Sequence, residues 1–425
     1  MSAYRVLPRS EHDISRKNIS QPALKVLYRL KSKGYMALLV GGALRDLMRG
    51  VQPRDYDVVT NASIDQIRHI FRNSKTIGKR FPIVHTYFAG DVIEISSLKP
   101  ADEDDGDNHG DAAELGDDHE DTDEREASFT CDEQRQLLLV DARQRDFTIN
   151  AIYYDIRNFE VIDPLGAIEH LEQRRLVPIG DPRVRFQEDP VRMLRALKLS
   201  ERHGFTIAGD LEKVIQEMAA TVNEIGPGRK YEELTRILLS EDAEDVLVRL
   251  RQMGLLRRLW PSGDQLLEKL GFGAVAECIH AVPIHYSRGS YAKETHTKLW
   301  MSLFLLTDHQ PTTSSKEERP ALDAFLGSLG MPFRTPIIEA LACLGALRQQ
   351  KGAYGGAPIS SEVAGMLEFW VGSFEPQLSQ QLEHFFKHHA GGGRRRRKGG
   401  GERRPGQNTG HKGKPRRRRR RRRGN

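Results

Sequence analysis

The stretch LLVGGALRDLMRGVQPRDYDVVT, residues 38–60, decides how the first half of this 425-residue chain folds. An apolar run, YMALLV at 35–40, ends on Gly41-Gly42 and gives way to ALRDLMRG; Gln52-Pro53 breaks that run, and DYDVVT follows. The apolar run is too short for a helix, ALRDLMRG has helical character, and the β-branched end of DYDVVT reads as extended, so the order is strand, turn, helix, strand. In an extended strand, residues two apart share a face, which points Asp55 and Asp57 one way and Tyr56 the other.

Two adjacent carboxylates repel unless a positive charge lies between them, and a divalent cation is the natural partner. A turn without side chains lets backbone N–H groups approach a phosphate, and the following helix directs its positive end there. Metal on one side and triphosphate on the other describe a nucleotidyl-transfer site.

Working outward, QPALKVLYRLKSKG at 21–34 is a helix that Gly34 stops. After the acids come a polar helix, SIDQIRHIFRNS, an alternating stretch, TIGKRFPIVHTYFA, and a strand, VIEISSL, in which Glu94 interrupts an apolar pattern. Order resumes at QLLLVDARQRDFTINAIYYDI, and VIDPLG reads as a strand running into a turn. Beyond about residue 185 the period becomes helical, as in DPVRMLRALKLSERHG, KYEELTRILLS and DAEDVLVRLRQMGLL. The expectation is an α+β chain: a small mixed-sheet head followed by an all-helical neck and body. Its divisions are an N-terminal extension at 1–20, the head at 21–170, the neck at 171–260, the body at 261–388 and a tail at 389–425.

The net charge of +6 conceals two opposed segments. Ala101–Ala127 holds 14 Asp and Glu against one Arg, while Ala390–Asn425 holds 17 Lys and Arg against one Glu. The acidic insertion, about 101–134, and the Arg/Gly-rich tail lack the apolar residues to form a core and are expected to be disordered. The tail should attract polyanions without sequence preference and with steep salt dependence. No run of ~18 apolar residues and no secretory h-region is present, so a cytoplasmic protein without a transmembrane segment is the expectation. Three widely spaced cysteines argue against a zinc site or a disulfide framework.

LVGGALRDLMRG…RDYDVVT resembles the signature of the class II nucleotidyltransferases, the group of bacterial poly(A) polymerases and tRNA CCA-adding enzymes, whose head is of the DNA polymerase beta type. The likeness continues through RDFTINAIYYD at 145–155, IDPLGAIEHLEQRRL at 162–176 and EDPVRMLRALKLS at 188–200. It implies that Asp55 and Asp57 bind two Mg2+ ions, with Glu94 as a third catalytic acid near the attacking hydroxyl, and that ATP is the substrate. For the nucleotide it implies Gly41, Gly42, Arg45 and Asp46 at the turn, Arg145, Asp146 and Asn150 on ribose and phosphates, and Asp189 and Arg192 toward the base, with Glu188 and Arg195 as further nucleotide-binding residues. Asp189 and Arg192, three apart, can share a helix face.

IGKRFPIVHTYF at 77–88 is similar to the poly(A) polymerase version of this region, with Lys79 and Arg80 as phosphate contacts; CCA-adding enzymes usually carry a glycine- and threonine-rich version. Departures are Ala43 for a third glycine, Ser97-Leu98-Lys99, and the acidic insertion. Arg229 and Glu233 resemble a neck-helix motif, with an intrahelical ion pair as the alternative. The implied activity is template-independent addition of AMP to RNA 3′ ends, with RNA-decay proteins as candidate partners. A CCA-adding enzyme and a noncatalytic RNA-binding adaptor are the alternatives.

Overall fold

The computed structural model describes residues 4–78, 82–88, 91–98, 131–282, 290–305, 334–349 and 359–389, with Pro320 and Phe325. Lys79, Arg80, most of the acidic insertion and the basic tail lie outside the described residues.

The head begins with β1 (Arg5–Leu7) and α1 (Gln21–Ser32). Ser20 accepts a hydrogen bond from the backbone N–H of Ala23, and Pro22 occupies the first turn, where its missing N–H costs nothing. Leu24, Leu27 and Leu30 then recur at helical spacing on the buried face. The decisive segment forms β2 (Ala37–Val40), wholly buried, α2 (Gly42–Met48) and β3 (Asp57–Thr60). There follow α3 (Ile64–Ile70), closed at its start by a reciprocal Ser63/Gln66 capping box, β4 (Ser74–Ile77), β5 (Ile83–Phe88) and β6 (Asp91–Ser97).

Helix α4 (Cys131–Gln144) starts earlier than the acidic composition suggests. Residues 131–134, read as the end of a disordered insertion, are its first turn. Asp132 and Glu133 suit the positive end of a helix, and Leu137 and Leu138 anchor it in the core. Then come β7 (Tyr153–Asp155), β8 (Glu160–Asp163) and α5 (Ala167–Glu172).

The eight strands form one sheet in the order β1-β8-β7-β2-β3-β6-β5-β4. All neighbours are antiparallel except β3 and β6, which run parallel because α3, β4 and β5 carry the chain back before β6 begins. Helix α1 covers one face, where Leu39, Val58 and Ile95 join the main core. Helix α4 covers part of the other, packing Leu137 and Leu138 on Leu38, Val40, Val59 and Tyr153.

At the start of α5 the Asp163 carboxylate, 1% exposed, accepts from the backbone N–H groups of Leu165 (3.2 Å), Ala167 (2.8 Å) and Ile168 (2.9 Å). Asp163→Ala is expected to lower stability by about 2–4 kcal/mol, because three donors, two of them buried, lose a charged acceptor. Urea unfolding of the two proteins measures it, and a loss below ~1 kcal/mol would mean that water replaces the carboxylate.

The neck is helical: α6 (Pro182–Glu188), α7 (Val191–His203), α8 (Gly209–Met218), α9 (Pro227–Leu238), α10 (Ala243–Gln252) and α11 (Leu256–Leu259). Arg175–Leu176 and Thr206–Ile207 make a two-stranded parallel pairing before and after α7. The body adds α12 (Pro261–Ala281), α13 (Ser290–Leu305), α14 (Arg334–Arg348), α15 (Ser361–Phe374) and α16 (Ser379–His389). Neck and body share a core in which Trp260 and Trp300 meet edge to face at 5.4 Å and the Trp300 indole donates to Thr235. Among the described residues no helix is long and apolar enough to cross a membrane.

Candidate active site

One cross-strand row organises the site. Tyr153 pairs with Val40, Val40 with Asp57, Asp57 with Glu94, Glu94 with His85, and His85 with Lys75. Residues opposite one another in a sheet project from the same face, so all six side chains stand on the side that carries α4. Tyr153 and Val40 lie beneath that helix. Asp57, Glu94 and His85 are half-buried beyond it, and Lys75 is exposed.

Asp57 is the first residue of β3, and Asp55 lies two residues upstream in the exposed approach. Tyr56 points into the core, 4% exposed, where its hydroxyl donates to the Asn18 carbonyl at 3.0 Å. Glu94 Oε1 is 3.5 Å from His85 Nε2. Among the described residues no three His, Cys, Asp or Glu side chains are grouped closely enough to hold a metal ion by themselves. Asp57 and Glu94 are therefore side by side, with Asp55 at the edge, and not a closed cage of three acids.

The glycine turn adjoins this pair. Gly41 has φ 79° and ψ −149°, and a Cβ placed on it would lie 2.9 Å from Asp57 Oδ2 and 3.8 Å from an Arg145 guanidinium nitrogen. A Cβ on Gly42 would lie 3.4 Å from Arg45 Nη2. The first glycine is thus backed by a carboxylate and the second by an arginine.

Arg45 departs from its expected role. It is only 6% exposed, and its guanidinium curls back beneath its own helix to bond Asp46 at 2.9 Å, Asn150 at 3.0 Å and His203 Nε2 at 3.1 Å. It therefore supports the turn from behind and presents no open face to a nucleotide. Asp46 and the Asn150 carboxamide oxygen are used in holding it.

Arg145 Nε donates to Asp141 at 2.9 Å, and the Tyr153 hydroxyl donates to the same carboxylate at 2.5 Å. Burial works against the Arg145 charge, but Asp141 and Tyr153 more than offset it and raise its pKa; burial drives that of Tyr153 well above its ordinary value. The cation next to Gly41 is permanent at any working pH. Asp146 accepts from Phe147 N and from Asn150 Nδ2, and stands 3.6 Å from Arg195 on α7.

Asp189 and Arg192 do not pair. Asp189 is extended between α6 and α7, outside the helix that contains Arg192. Its carboxylate receives Arg229 at 2.9 Å, whereas Arg192 bonds Glu188 at 3.1 Å. Arg229 accordingly makes no intrahelical pair; Glu233 is paired with Arg236 at 3.0 Å. Glu188 also accepts from Arg185, whose other nitrogen donates to the carbonyls of Gln144 (2.7 Å) and Arg145 (3.0 Å) at the end of α4.

Sequence reasoning passed over Asp141, Arg185 and His203, and it noted His85 in the IGKRFPIVHTYF pattern without giving it a role. Asp141 carried a signal, four residues before Arg145 in a helical run, and so did Arg185, three before Glu188. The contacts of Arg185 with α4 and of His203 with Arg45 depend on folds of the chain that join residues far apart.

Burial, then the charges of Arg45, Arg202 and Arg49, lower the His203 pKa from 6.5 to about 3. The folded protein keeps this imidazole neutral where the unfolded chain protonates it, so stability falls as the pH drops from 6.5 toward 3, by up to about 1.4 kcal/mol per pH unit, and is unaffected above ~7. His203→Gln should flatten the decline. Urea midpoints at pH 7 and pH 4.5 measure it, and equal declines in both proteins would contradict the assignment.

Residues 37–177 match the family model described as the poly A polymerase head domain, and residues 204–267 match the one described as the probable RNA and SrmB-binding site of polymerase A. Poly(A) polymerase I of Salmonella typhi is 36% identical over 282 residues, covering 62% of this chain and 57% of the relative. The CCA-adding enzyme of Bacillus pumilus is 30% identical over 217 residues, covering 51% and 49%. The chain thus spans little more than half the length of the curated relatives it matches. Among solved structures, the Bacillus stearothermophilus CCA-adding enzyme in complex with CTP superposes with a TM-score of 0.55 at 23% identity, covering 87% of this chain and 82% of that one. That likeness concerns the fold.

Proposed function

We propose, for a chain whose residues 37–177 match the family model of the poly A polymerase head domain, that it is a template-independent RNA 3′-adenylyltransferase of the cytoplasm: ATP and an RNA 3′-hydroxyl give RNA one AMP longer and pyrophosphate. The observation that carries this reading is the register of Asp57 beside Glu94, with Asp57 Oδ2 against Gly41. A second reading, a CCA-adding enzyme, is favoured by the CCA-adding relatives at 30–32% identity, below the 34–36% of the poly(A) polymerases.

The donor set suits magnesium. Mg2+ keeps several waters and binds through one or two carboxylates plus substrate phosphates, so Asp57 and Asp55 are sufficient and a three-ligand cage is not needed. When bound, such ions acidify the 3′-hydroxyl and stabilise the leaving pyrophosphate.

The chain's own part is positioning. The first N–H groups of α2, after Gly41, have no intrahelical acceptor and suit the triphosphate, and Arg145 adds a fixed positive charge beside them. Glu94 lies on the acid row where the incoming hydroxyl would sit. Asp189 and Arg192 flank the same end of α7, where Arg229 orients Asp189 for the base. RNA 3′ ends would lie along the neck, and the basic tail would hold the RNA by counterion release. RNA-decay proteins are the candidate partners.

The test is incubation of purified protein with a short 3′-hydroxyl RNA, magnesium and each nucleoside triphosphate in turn. Long products from ATP alone support adenylylation. Addition of two C and one A to tRNA lacking its terminus indicates the second reading, and no product in any reaction overturns both.

A further inference from the structure

His203 closes α7, the helix whose other end carries Arg192 and Arg195, and lies 158 residues from Arg45 in the chain. A guanidinium has donors and no acceptor, so the 3.1 Å contact between Arg45 Nη2 and His203 Nε2 requires a lone pair on that nitrogen. The imidazole is therefore neutral, with its proton on Nδ1. The lowered pKa of His203 agrees with this.

The histidine is itself held. Arg49 donates to its backbone carbonyl at 2.9 Å and stacks over Phe205, and the His203 ring meets Phe205 edge to face at 6.1 Å. The other neighbours of Arg45 are Asp46, Asn150 and Gly42, where an added Cβ would lie 3.4 Å from Arg45 Nη2. A single buried guanidinium thus bonds the RDFTIN segment and the end of the neck helix and fills the space beside Gly42. Helix α7 is fastened to the head at two places, Arg195 to Asp146 near its start and His203 to Arg45 at its end. Two fastenings set the tilt of a helix as well as its distance.

We infer that His203 is a positioning residue for the nucleotide: by accepting from Arg45 it holds that side chain against Gly42 and Asn150, so that the glycine turn and helix α7 are set for the two ends of one nucleoside triphosphate. The inference rests on the adenylyl-transfer reading for its substrate. A neutral acceptor is what the place demands, because lysine would repel Arg45 and phenylalanine would leave one of its donors unmatched in a site with little access to water.

His203→Phe and His203→Gln separate positioning from packing. Phenylalanine keeps an aromatic ring against Phe205 but has no acceptor, whereas glutamine keeps an acceptor without the ring. ATP KM and kcat are measured on a short 3′-hydroxyl RNA well below both melting temperatures, and isothermal titration with magnesium and ATP, without RNA, gives binding alone. In His203→Phe, KM and the dissociation constant should each rise about tenfold, the factor for one charged hydrogen bond, with kcat changed less than ~threefold. In His203→Gln both should return to within ~threefold of the parent. Unchanged ATP binding in His203→Phe, or equal defects in both variants, would overturn the inference and leave His203 a packing residue. If the parent extends no RNA, it is the adenylyl-transfer reading that fails, and the titration alone decides the role of His203.

Discussion

Asp57→Asn is expected to leave the fold intact and reduce AMP addition by about 10³-fold. Asparagine has nearly the volume of aspartate, so β3 keeps its register with Val40 and Glu94 and Gly41 keeps its neighbour. The lost item is one negative charge. In water a single charge would matter little, but this carboxylate is half-buried beside the glycine turn, where charge is poorly screened and where the reacting phosphate and its cations would gather. Stability should move the other way or not at all: Glu94 is its direct cross-strand neighbour, and like charges facing each other across a sheet are destabilising. The measurements are single-turnover AMP incorporation with saturating magnesium and ATP, together with a thermal melt. More than a tenth of parental activity in a normally melting variant would remove Asp57 from the site.

Much of this arrangement was legible beforehand, and the boundary of what was not follows from distance along the chain. The strand, glycine turn, helix and second strand of residues 37–60 follow from local period and punctuation, and so do the helical neck and the burial of Tyr56 between exposed Asp55 and half-buried Asp57. That Glu94 joins Asp57 was implied only by the family resemblance; the pairing itself could not be read from either strand, because a parallel register is set by α3 and two intervening strands. The case of Arg45 differs. An arginine one turn after a glycine pair looks the same in sequence whether it reaches out to a phosphate or back under its own helix, and Asn150 and His203, both more than a hundred residues away, decide which. Asp189 and Arg192 show the opposite error: their spacing of three suggested one helix face, but Pro190 separates them, leaving Asp189 extended and free to turn toward Arg229.

Gly41→Ala carries the second large effect, and its cause can be divided by a control. The backbone at Gly41, φ 79° and ψ −149°, is in a region that residues with a Cβ rarely enter, at a cost of about 1–3 kcal/mol. The added methyl would also come within 2.9 Å of Asp57 Oδ2, closer than carbon and oxygen tolerate, so the carboxylate or the turn must shift. Strain lowers stability; displacement of Asp57 lowers activity. Gly50 separates the two, since it too has a positive φ, 71°, but a Cβ there would meet nothing within 4 Å. Gly50→Ala should therefore cost about 1 kcal/mol of stability, with AMP addition within ~twofold of the parent. Gly41→Ala should cost roughly 2–4 kcal/mol and lower AMP addition at least ~100-fold, at a temperature where both variants are folded, because a shift of ~1 Å in a reacting geometry is worth about that factor. Urea midpoints and initial rates on the same preparations measure both. Equal activity in the two alanine variants would mean that the close approach of Asp57 to the turn has no part in catalysis, even if the stability losses came out as expected.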